Sequence, residues 1–144
     1  MSRWIVGSDH GGVELRSLVA DDLRALGHEV EVIGPAPGAG SVDYPDVAKQ
    51  VCAEVLENTG SFGVLVCGTG QGMAISANKV PGIRAAVVSD VFSARMARAH
   101  NNANVLCLGQ RVLGTELARE LLKVFVGSEF EGGRHARRVG KIEG

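Results

Sequence analysis

Short apolar runs alternate along the chain with longer stretches in which apolar residues recur at helical spacing. Five such runs, rich in Val, Ile and Leu, predict β-strands at residues 4–6, 29–33, 62–66, 83–88 and 104–108. After the first strand, apolar residues at helical spacing predict a helix; they are Leu15, Leu18, Val19, Leu23 and Leu26. Similar spacing predicts helices that follow Pro45, that begin at Asp90 and that span residues 116–126.

The alternation of strands and helices is typical of a parallel β-sheet with right-handed crossovers and helices on both faces. The run at residues 62–66 has no alternating polar positions, as expected for a strand buried on both faces. Residues 34–41, rich in proline and glycine, predict a surface loop. Ligands of such folds bind at the carboxyl ends of the strands, so functional residues are expected there.

Composition narrows the class of protein. The 144 residues are 45% hydrophobic and 22% charged, so we predict one globular domain over residues 1–144. With 15 basic and 16 acidic residues, the net charge of −1 favours neither a nucleic acid nor a membrane as partner. No apolar run approaches the ~20 residues that cross a bilayer, and the N-terminus lacks a signal-peptide pattern. Three cysteines without a CxxC pair fit a reducing, cytoplasmic location.

Polar residues follow several predicted strands. The first strand leads into Asp9-His10, the third into a glycine-rich turn at residues 67–72, and the fourth into Ser89-Asp90. The helix after the fourth strand ends at His100-Asn101, and we expect all these residues to gather at one edge of the sheet. A helix cap is the favoured interpretation of Ser89-Asp90. The same interpretation is disfavoured for Asp9-His10, because a cap does not require a histidine beside the aspartate.

The glycine-rich turn does not fit three familiar motifs. A dinucleotide fingerprint from Gly68 would need glycine at position 73, and a thiol-phosphatase loop from Cys67 would need arginine there, where Met73 stands. The GKS or GKT of a Walker A loop is absent. What remains is a glycine turn before a helix amino terminus, whose N–H groups suit an anion or a developing oxyanion. Cys67 enters this turn at the positive end of the helix, which favours a reactive thiolate.

The C-terminal segment carries a basic cluster. Arg134 and Arg138 would share one face of a helix and suit a phosphate dianion, although such a segment can also be a solvated surface. The four histidines show no metal-ligand spacing, so we expect no metal, and His28 is expected to be structural. Cys52 and Cys107 are expected to be buried and inert.

Several motifs, in order from about residue 4 to about residue 139, closely resemble those of the ribose-5-phosphate isomerase B family. They are Ser8-Asp9-His10-Gly11-Gly12, Asp43-Tyr44-Pro45, Cys67-Gly68-Thr69-Gly70-x-Gly72, Ser76-Ala77-Asn78-Lys79, Gly82-Ile83-Arg84-Ala85, His100-Asn101-x-x-Asn104-Val105-Leu106 and Glu131-Gly132-Gly133-Arg134-His135. The resemblance implies a three-layer αβα sandwich with a five-stranded parallel, Rossmann-like sheet. It also implies a cytoplasmic homodimer or homotetramer with sites shared between subunits.

The implied reaction interconverts ribose 5-phosphate and ribulose 5-phosphate through an enediolate, with neither metal nor cofactor. By resemblance, Cys67 is the base that moves a proton between C2 and C1, and His100, helped by Asp9, opens the furanose ring. The enediolate would be stabilised by Thr69 and by the N–H groups of Gly68, Gly70 and Gly72. The phosphate would be held by His10, Arg111, Arg134 and Arg138, and the sugar would be contacted by Tyr44 and Asn101.

Alternatives stay open at this point. One branch of the family replaces the cysteine with a glutamate six residues further on, but Cys67 and Met73 place this chain with the cysteine branch. Allose 6-phosphate and galactose 6-phosphate are alternative substrates. A third alternative is a phosphosugar-binding module without catalysis. It would need neither Cys67 nor His100, so the presence of both residues argues against it. A flavodoxin-like nucleotide carrier is disfavoured, because the glycine-rich turn does not match the dinucleotide fingerprint.

Overall fold

The chain forms a five-stranded sheet with every neighbouring pair parallel, as seen in a computed structural model that describes residues 1–144. This confirms the predicted α/β class. The elements, in chain order, are β1 (Arg3–Ser8), α1 (Val13–Ala25), β2 (Glu29–Ile33), α2 (Tyr44–Glu57), β3 (Phe62–Cys67), α3 (Gln71–Ala77), β4 (Ala85–Val87), α4 (Val91–Ala99), β5 (Val105–Gly109), α5 (Thr115–Gly127) and α6 (Arg134–Glu143).

Two hydrophobic cores, one on each face of the sheet, hold three layers together. Helices α1, α4 and α5 pack on one face through residues such as Leu23, Leu121 and Phe125. Helices α2 and α3 pack on the other through residues such as Val51 and Met73. The buried residues of each helix recur every three or four positions, as the sequence pattern predicts. No helix in the structure is both long and apolar enough to span a bilayer.

Strand β4 is shorter than the predicted run of residues 83–88. The N–H of Ile83 closes a turn on the Val80 carbonyl, and the N–H of Arg84 donates to Asn104 Oδ1 at 2.8 Å. On the outer side of β4, the Asn78 amide group donates to the Ala85 carbonyl and accepts from its N–H, at 2.9 and 2.8 Å. The Asn78 side chain therefore occupies backbone groups at the outer edge of β4, and this limits the pairing of β4 with strands of other chains.

The strand order is β2-β1-β3-β5-β4. From β1 the chain passes to β2, toward one end of this strand order, whereas from β3 it passes to β4, toward the other end. The boundary between β1 and β3 is therefore the topological switch point. A crevice opens at such a boundary beyond the carboxyl ends of the strands. The residues that follow Ser8 and those from Cys67 onward therefore border this crevice.

Candidate active site

The crevice between β1 and β3 is built around Cys67, the last residue of β3. Cys67 is buried, with 5% of its surface exposed, and its Sγ accepts a hydrogen bond from the Gly70 N–H at 3.1 Å. That approach requires the left-handed conformation of Gly70, with φ at +83°, which favours glycine. The N–H groups of Gly68, Thr69 and Gly72 donate to no backbone carbonyl, which leaves them free for an anion.

Four side chains from other parts of the chain lie at the same edge of the sheet as this turn. Asp9 is buried and accepts from the Gly11 N–H at 2.9 Å, while the exposed His10 accepts through Nδ1 from the Val42 N–H at 3.3 Å. The Tyr44 ring lies so close to Gly72 that a Cβ there would collide with it, and the Arg111 side chain lies along Gly68. We call this group the carboxyl-edge half-site: Asp9, His10, Tyr44, residues 67–72 and Arg111.

His100 and the C-terminal arginines lie at the opposite, amino-terminal edge of the sheet. The Gly63 N–H at the start of β3 donates to the Asn104 carbonyl at 2.9 Å, and the Glu131 N–H donates to the Ala99 carbonyl at 2.9 Å. From Gly63 to Cys67, β3 advances about 13 Å at ~3.3 Å per residue. The expectation that all the reactive residues share one edge is therefore wrong. A helix in a parallel α/β unit runs antiparallel to its strands, so a residue at its C-terminus returns to the amino edge.

These residues form a second group, the amino-edge half-site: His100, Asn101, Glu131, Arg134, His135 and Arg138. Helix α6 confirms the helical spacing of Arg134 and Arg138, both exposed near its start. The rings of His100 and His135 stack with centroids 4.0 Å apart and planes 10° from parallel. Glu131 Oε1 lies 3.6 Å from Nε2 of each ring.

His135 is the buried member of the stacked pair, with 7% of its surface exposed. Burial lowers the pKa of its imidazole, and the positive charges of His100, Arg134 and Arg138 act in the same direction, while Glu131 opposes them. The Nε2 atom of His135 is buried and has no hydrogen-bond partner. Near neutral pH this ring is therefore neutral.

His100, Glu131 and His135 are also the one group whose spacing resembles a metal site, with ligand atoms within 4.8 Å of one another. Metal-bound imidazoles direct their in-plane lone pairs at the ion. Between two parallel stacked rings, an ion midway would lie about 2 Å out of both ring planes. An ion held by both rings at this spacing would lie off the direction of both in-plane lone pairs, so the cluster as arranged fits a metal poorly.

Several residues outside the two half-sites behave as predicted. Asp90 caps α4, since its Oδ1 accepts from the Ser93 N–H at 2.7 Å, and this confirms the capping interpretation. His28 is structural, because its Nδ1 accepts from the Ser2 N–H at 3.0 Å. Cys52 and Cys107 are buried among apolar residues.

Two residues of the amino-edge half-site received no role from the sequence. Glu131 and His135 stand in a motif that carries the resemblance, but nothing in their spacing reveals that they meet His100. The i, i+4 interval between Glu131 and His135 is the one sequence signal that the two side chains meet. It becomes informative only when residues 131–135 are known to pack against the end of α4.

The match to known proteins agrees with this fold. The family model described as Ribose/Galactose Isomerase matches residues 5–142. The chain therefore belongs to the ribose/galactose isomerase family.

Within that family, the chain is similar to proteins named ribose-5-phosphate isomerase B. It is 48% identical to the one from Clostridium thermocellum, whose structure superposes with a TM-score of 0.94 over 98% of this chain and 95% of that chain. It is 42% identical over 143 residues to the Escherichia coli (strain K12) protein, covering 99% of this chain and 95% of the relative. A D-erythrulose-4-phosphate isomerase from Pectobacterium atrosepticum is also 42% identical, over 95% of this chain and 90% of the relative.

Proposed function

We propose that this protein interconverts ribose 5-phosphate and ribulose 5-phosphate, with Cys67 as the base. The observation that carries the proposal is the buried Cys67 Sγ at the switch-point crevice, beside the free N–H groups of Gly68, Thr69 and Gly72. Aldose–ketose isomerisation needs a base and an oxyanion site next to each other. The names of the relatives from Clostridium thermocellum and Escherichia coli support ribose 5-phosphate as the substrate.

We infer that each site forms between two copies of the chain. Cys67 and His100 lie at opposite edges of the sheet, separated by the length of β3, so one chain cannot place both beside a single pentose. A second copy can present its amino edge to the carboxyl edge of the first. Two-fold symmetry then gives two identical composite sites per dimer.

The first chemical step in this proposal opens the furanose ring. His100 of one chain donates a proton to the ring oxygen as the bond between that oxygen and C1 breaks. The carboxylate of Asp9 in the other chain takes the proton of the C1 hydroxyl, which leaves an aldehyde. Asp9 suits this role because the Gly11 N–H holds its carboxylate in place at 2.9 Å.

The second step moves a proton from C2 to C1. Cys67 Sγ removes the C2 proton, and the electron pair moves onto the C1 carbonyl oxygen to give an enediolate. The free N–H groups of Gly68 and Gly72 and the hydroxyl of Thr69 stabilise the negative charge. Protonation of C1 by the Cys67 thiol, with proton transfer from O2 to O1, gives the ketose and restores the thiolate. The Gly70 N–H is already donated to Sγ, so in our proposal it orients the base.

The phosphate anchor also combines the two half-sites. His10 and Arg111 belong to the carboxyl edge, whereas Arg134 and Arg138 belong to the amino edge. Guanidinium groups on one helix face suit the oxygens of a phosphate dianion. We propose that all four side chains hold the phosphate, while Tyr44 and Asn101 contact the sugar. Binding energy from the remote phosphate then orients the reacting carbons against Cys67.

A coupled assay with several sugar phosphates tests the proposal. Ribose 5-phosphate, allose 6-phosphate, galactose 6-phosphate and erythrose 4-phosphate are compared, the last because of the relative named for erythrulose 4-phosphate. We expect the highest kcat/KM with ribose 5-phosphate, and no loss of activity with a chelator. Binding of sugar phosphates without turnover would instead indicate a non-catalytic module. A higher kcat/KM with another sugar would overturn the substrate assignment.

A further inference from the structure

The proposed ring-opening residue, His100, has its imidazole ring against a second histidine. His100 is the C-cap residue of α4, directly after Ala99, and its side chain is 38% exposed. A ring so exposed has little packing to fix its orientation. Its close neighbour is the His135 ring, stacked at a centroid distance of 4.0 Å.

His135, in contrast, is held firmly. It lies in the first turn of α6, its N–H donates to the Gly132 carbonyl, and only 7% of its surface is exposed. The other end of α6 is fixed by an ion pair between Arg84 and Glu143 at 2.7 Å. His135 therefore offers His100 a rigid flat surface.

Glu131 adds a charge to this arrangement. Its N–H donates to the Ala99 carbonyl at 2.9 Å, which keeps the residue beside the end of α4. Its Oε1 lies 3.6 Å from Nε2 of both rings, too long for a hydrogen bond but close enough to stabilise one imidazolium.

Only one of the two stacked rings can take up a proton easily, because two positive charges about 4 Å apart repel each other. His135 is the unfavourable position, since burial, Arg134 and Arg138 all lower its pKa. The ring of His100 is exposed to water and lies 3.6 Å from the Glu131 carboxylate, so its position is the one at which a positive charge would keep its solvation.

We propose that His135 and Glu131 are positioning residues for His100: the His135 ring fixes the plane of the His100 ring, and the Glu131 carboxylate holds His100 as the proton donor for ring opening. This inference rests on the proposed function. It assigns neither residue a contact with the substrate.

Two rates measured on the same variants test the inference. Conversion of ribose 5-phosphate requires ring opening. Ribulose 5-phosphate cannot close a furanose ring, because its O5 carries the phosphate. In D2O, ribulose 5-phosphate loses its C1 proton either by exchange with solvent or by conversion to the aldose. The sum of these two rates therefore measures proton removal by Cys67 and does not depend on ring opening. Proton NMR measures this rate.

For His135→Ala and Glu131→Gln we expect conversion of ribose 5-phosphate to fall about tenfold, a fraction of the ~10²–10⁴ that a general acid contributes. The loss of the C1 proton from ribulose 5-phosphate should stay within about twofold of the unaltered protein. His135→Phe keeps a flat ring in place and should recover most of the conversion rate. Lys141→Ala, exposed on the same helix, is the control and should change neither rate.

The pattern of the two rates separates the outcomes. If both fall together in His135→Ala, the residue supports the fold or the whole site, and the positioning role is overturned. If neither falls in either variant, it is overturned as well. If the unaltered protein neither converts ribose 5-phosphate nor removes the C1 proton, the proposed function itself fails and the positioning role falls with it.

Discussion

The three cysteines of this chain occupy very different surroundings. Burial raises the pKa of Cys52 to about 11, and burial also raises the pKa of Cys107, with the nearby thiols adding to the effect. Both therefore stay protonated and inert near neutral pH. Cys67 alone lies at the crevice and accepts a backbone N–H, from Gly70.

Replacement of Cys67 by serine should lower kcat by about 10³, within the ~10²–10⁴ that a general base contributes, because a hydroxyl is too weak a base near neutral pH. KM should change little, since the proposed phosphate ligands are untouched. Steady-state kinetics with ribose 5-phosphate measure both constants. Cys52→Ser and Cys107→Ser are the controls and should keep most activity. A Cys67→Ser variant with unaltered kcat would place the base elsewhere, and Asp9 would be the next candidate.

A second residue-scale prediction concerns the contact between Gly72 and Tyr44. A methyl group at position 72 would collide with the Tyr44 ring and push it out of the crevice. We expect Gly72→Ala to raise KM for ribose 5-phosphate several-fold, with the melting temperature little changed. Gly127→Ala adds a methyl group where there is open space in a helix, and it should leave KM unaltered. An unaltered KM in Gly72→Ala would remove Tyr44 from the sugar site.

At the scale of elements, α6 carries the proposed second half of the phosphate anchor. Arg134→Ala should raise KM and lower kcat, reducing kcat/KM by about 10–100-fold, as expected for the loss of a charge-assisted hydrogen bond. Arg137→Ala changes a neighbouring exposed arginine and should have a much smaller effect. Steady-state kinetics at constant ionic strength separate the two. Equal effects would indicate that α6 contributes only general positive charge.

The amino terminus of α4 gives a prediction on stability. The Ser93 hydrogen bonds lower the pKa of Asp90, so the folded state favours its charged form. That stabilisation is present above the unfolded pKa of about 4 and is lost as the pH falls through the folded value. Asp90→Ala should therefore lower the melting temperature by roughly 2–4 °C at neutral pH. Calorimetry should show this difference shrinking below pH ~4, and a constant difference would contradict the prediction.

The elements were largely predictable because their apolar periodicity is strong, from the unbroken run at residues 62–66 to the spaced leucines of α1. Strand β4 was overestimated because the N–H of Ile83 closes a local turn and the N–H of Arg84 donates to Asn104, a residue distant in the sequence. The position of His100 at the amino edge follows from helix direction alone and could have been deduced. The burial of His135 could not, because it depends on how α6 packs.

At the scale of the whole molecule, the proposed composite site would make activity a property of two chains. We predict a species no smaller than a dimer in analytical ultracentrifugation at micromolar concentration. A fully active monomer would contradict the composite site.

Subunit mixing tests the same point more directly. Cys67→Ser and His100→Ala should each be inactive alone. In a mixed dimer, one site combines both altered residues and the other is intact, so random exchange of subunits should restore roughly a quarter of the unaltered activity. Mixing Cys67→Ser with Cys67→Ala is the matched control and should restore none. The absence of recovery, with exchange confirmed by mass spectrometry, would place both residues in one chain's site.

The distance between the two edges of the sheet also has a genetic consequence. If each site is composite, as proposed, a chain altered at both Cys67 and His100 would inactivate both sites of any dimer it enters, because each site would take one half from it. In cells that make altered and unaltered chains together, activity would fall as roughly the square of the unaltered fraction. A chain altered at only one of the two residues would spare one site in each mixed dimer, so two individually recessive alleles could support growth together.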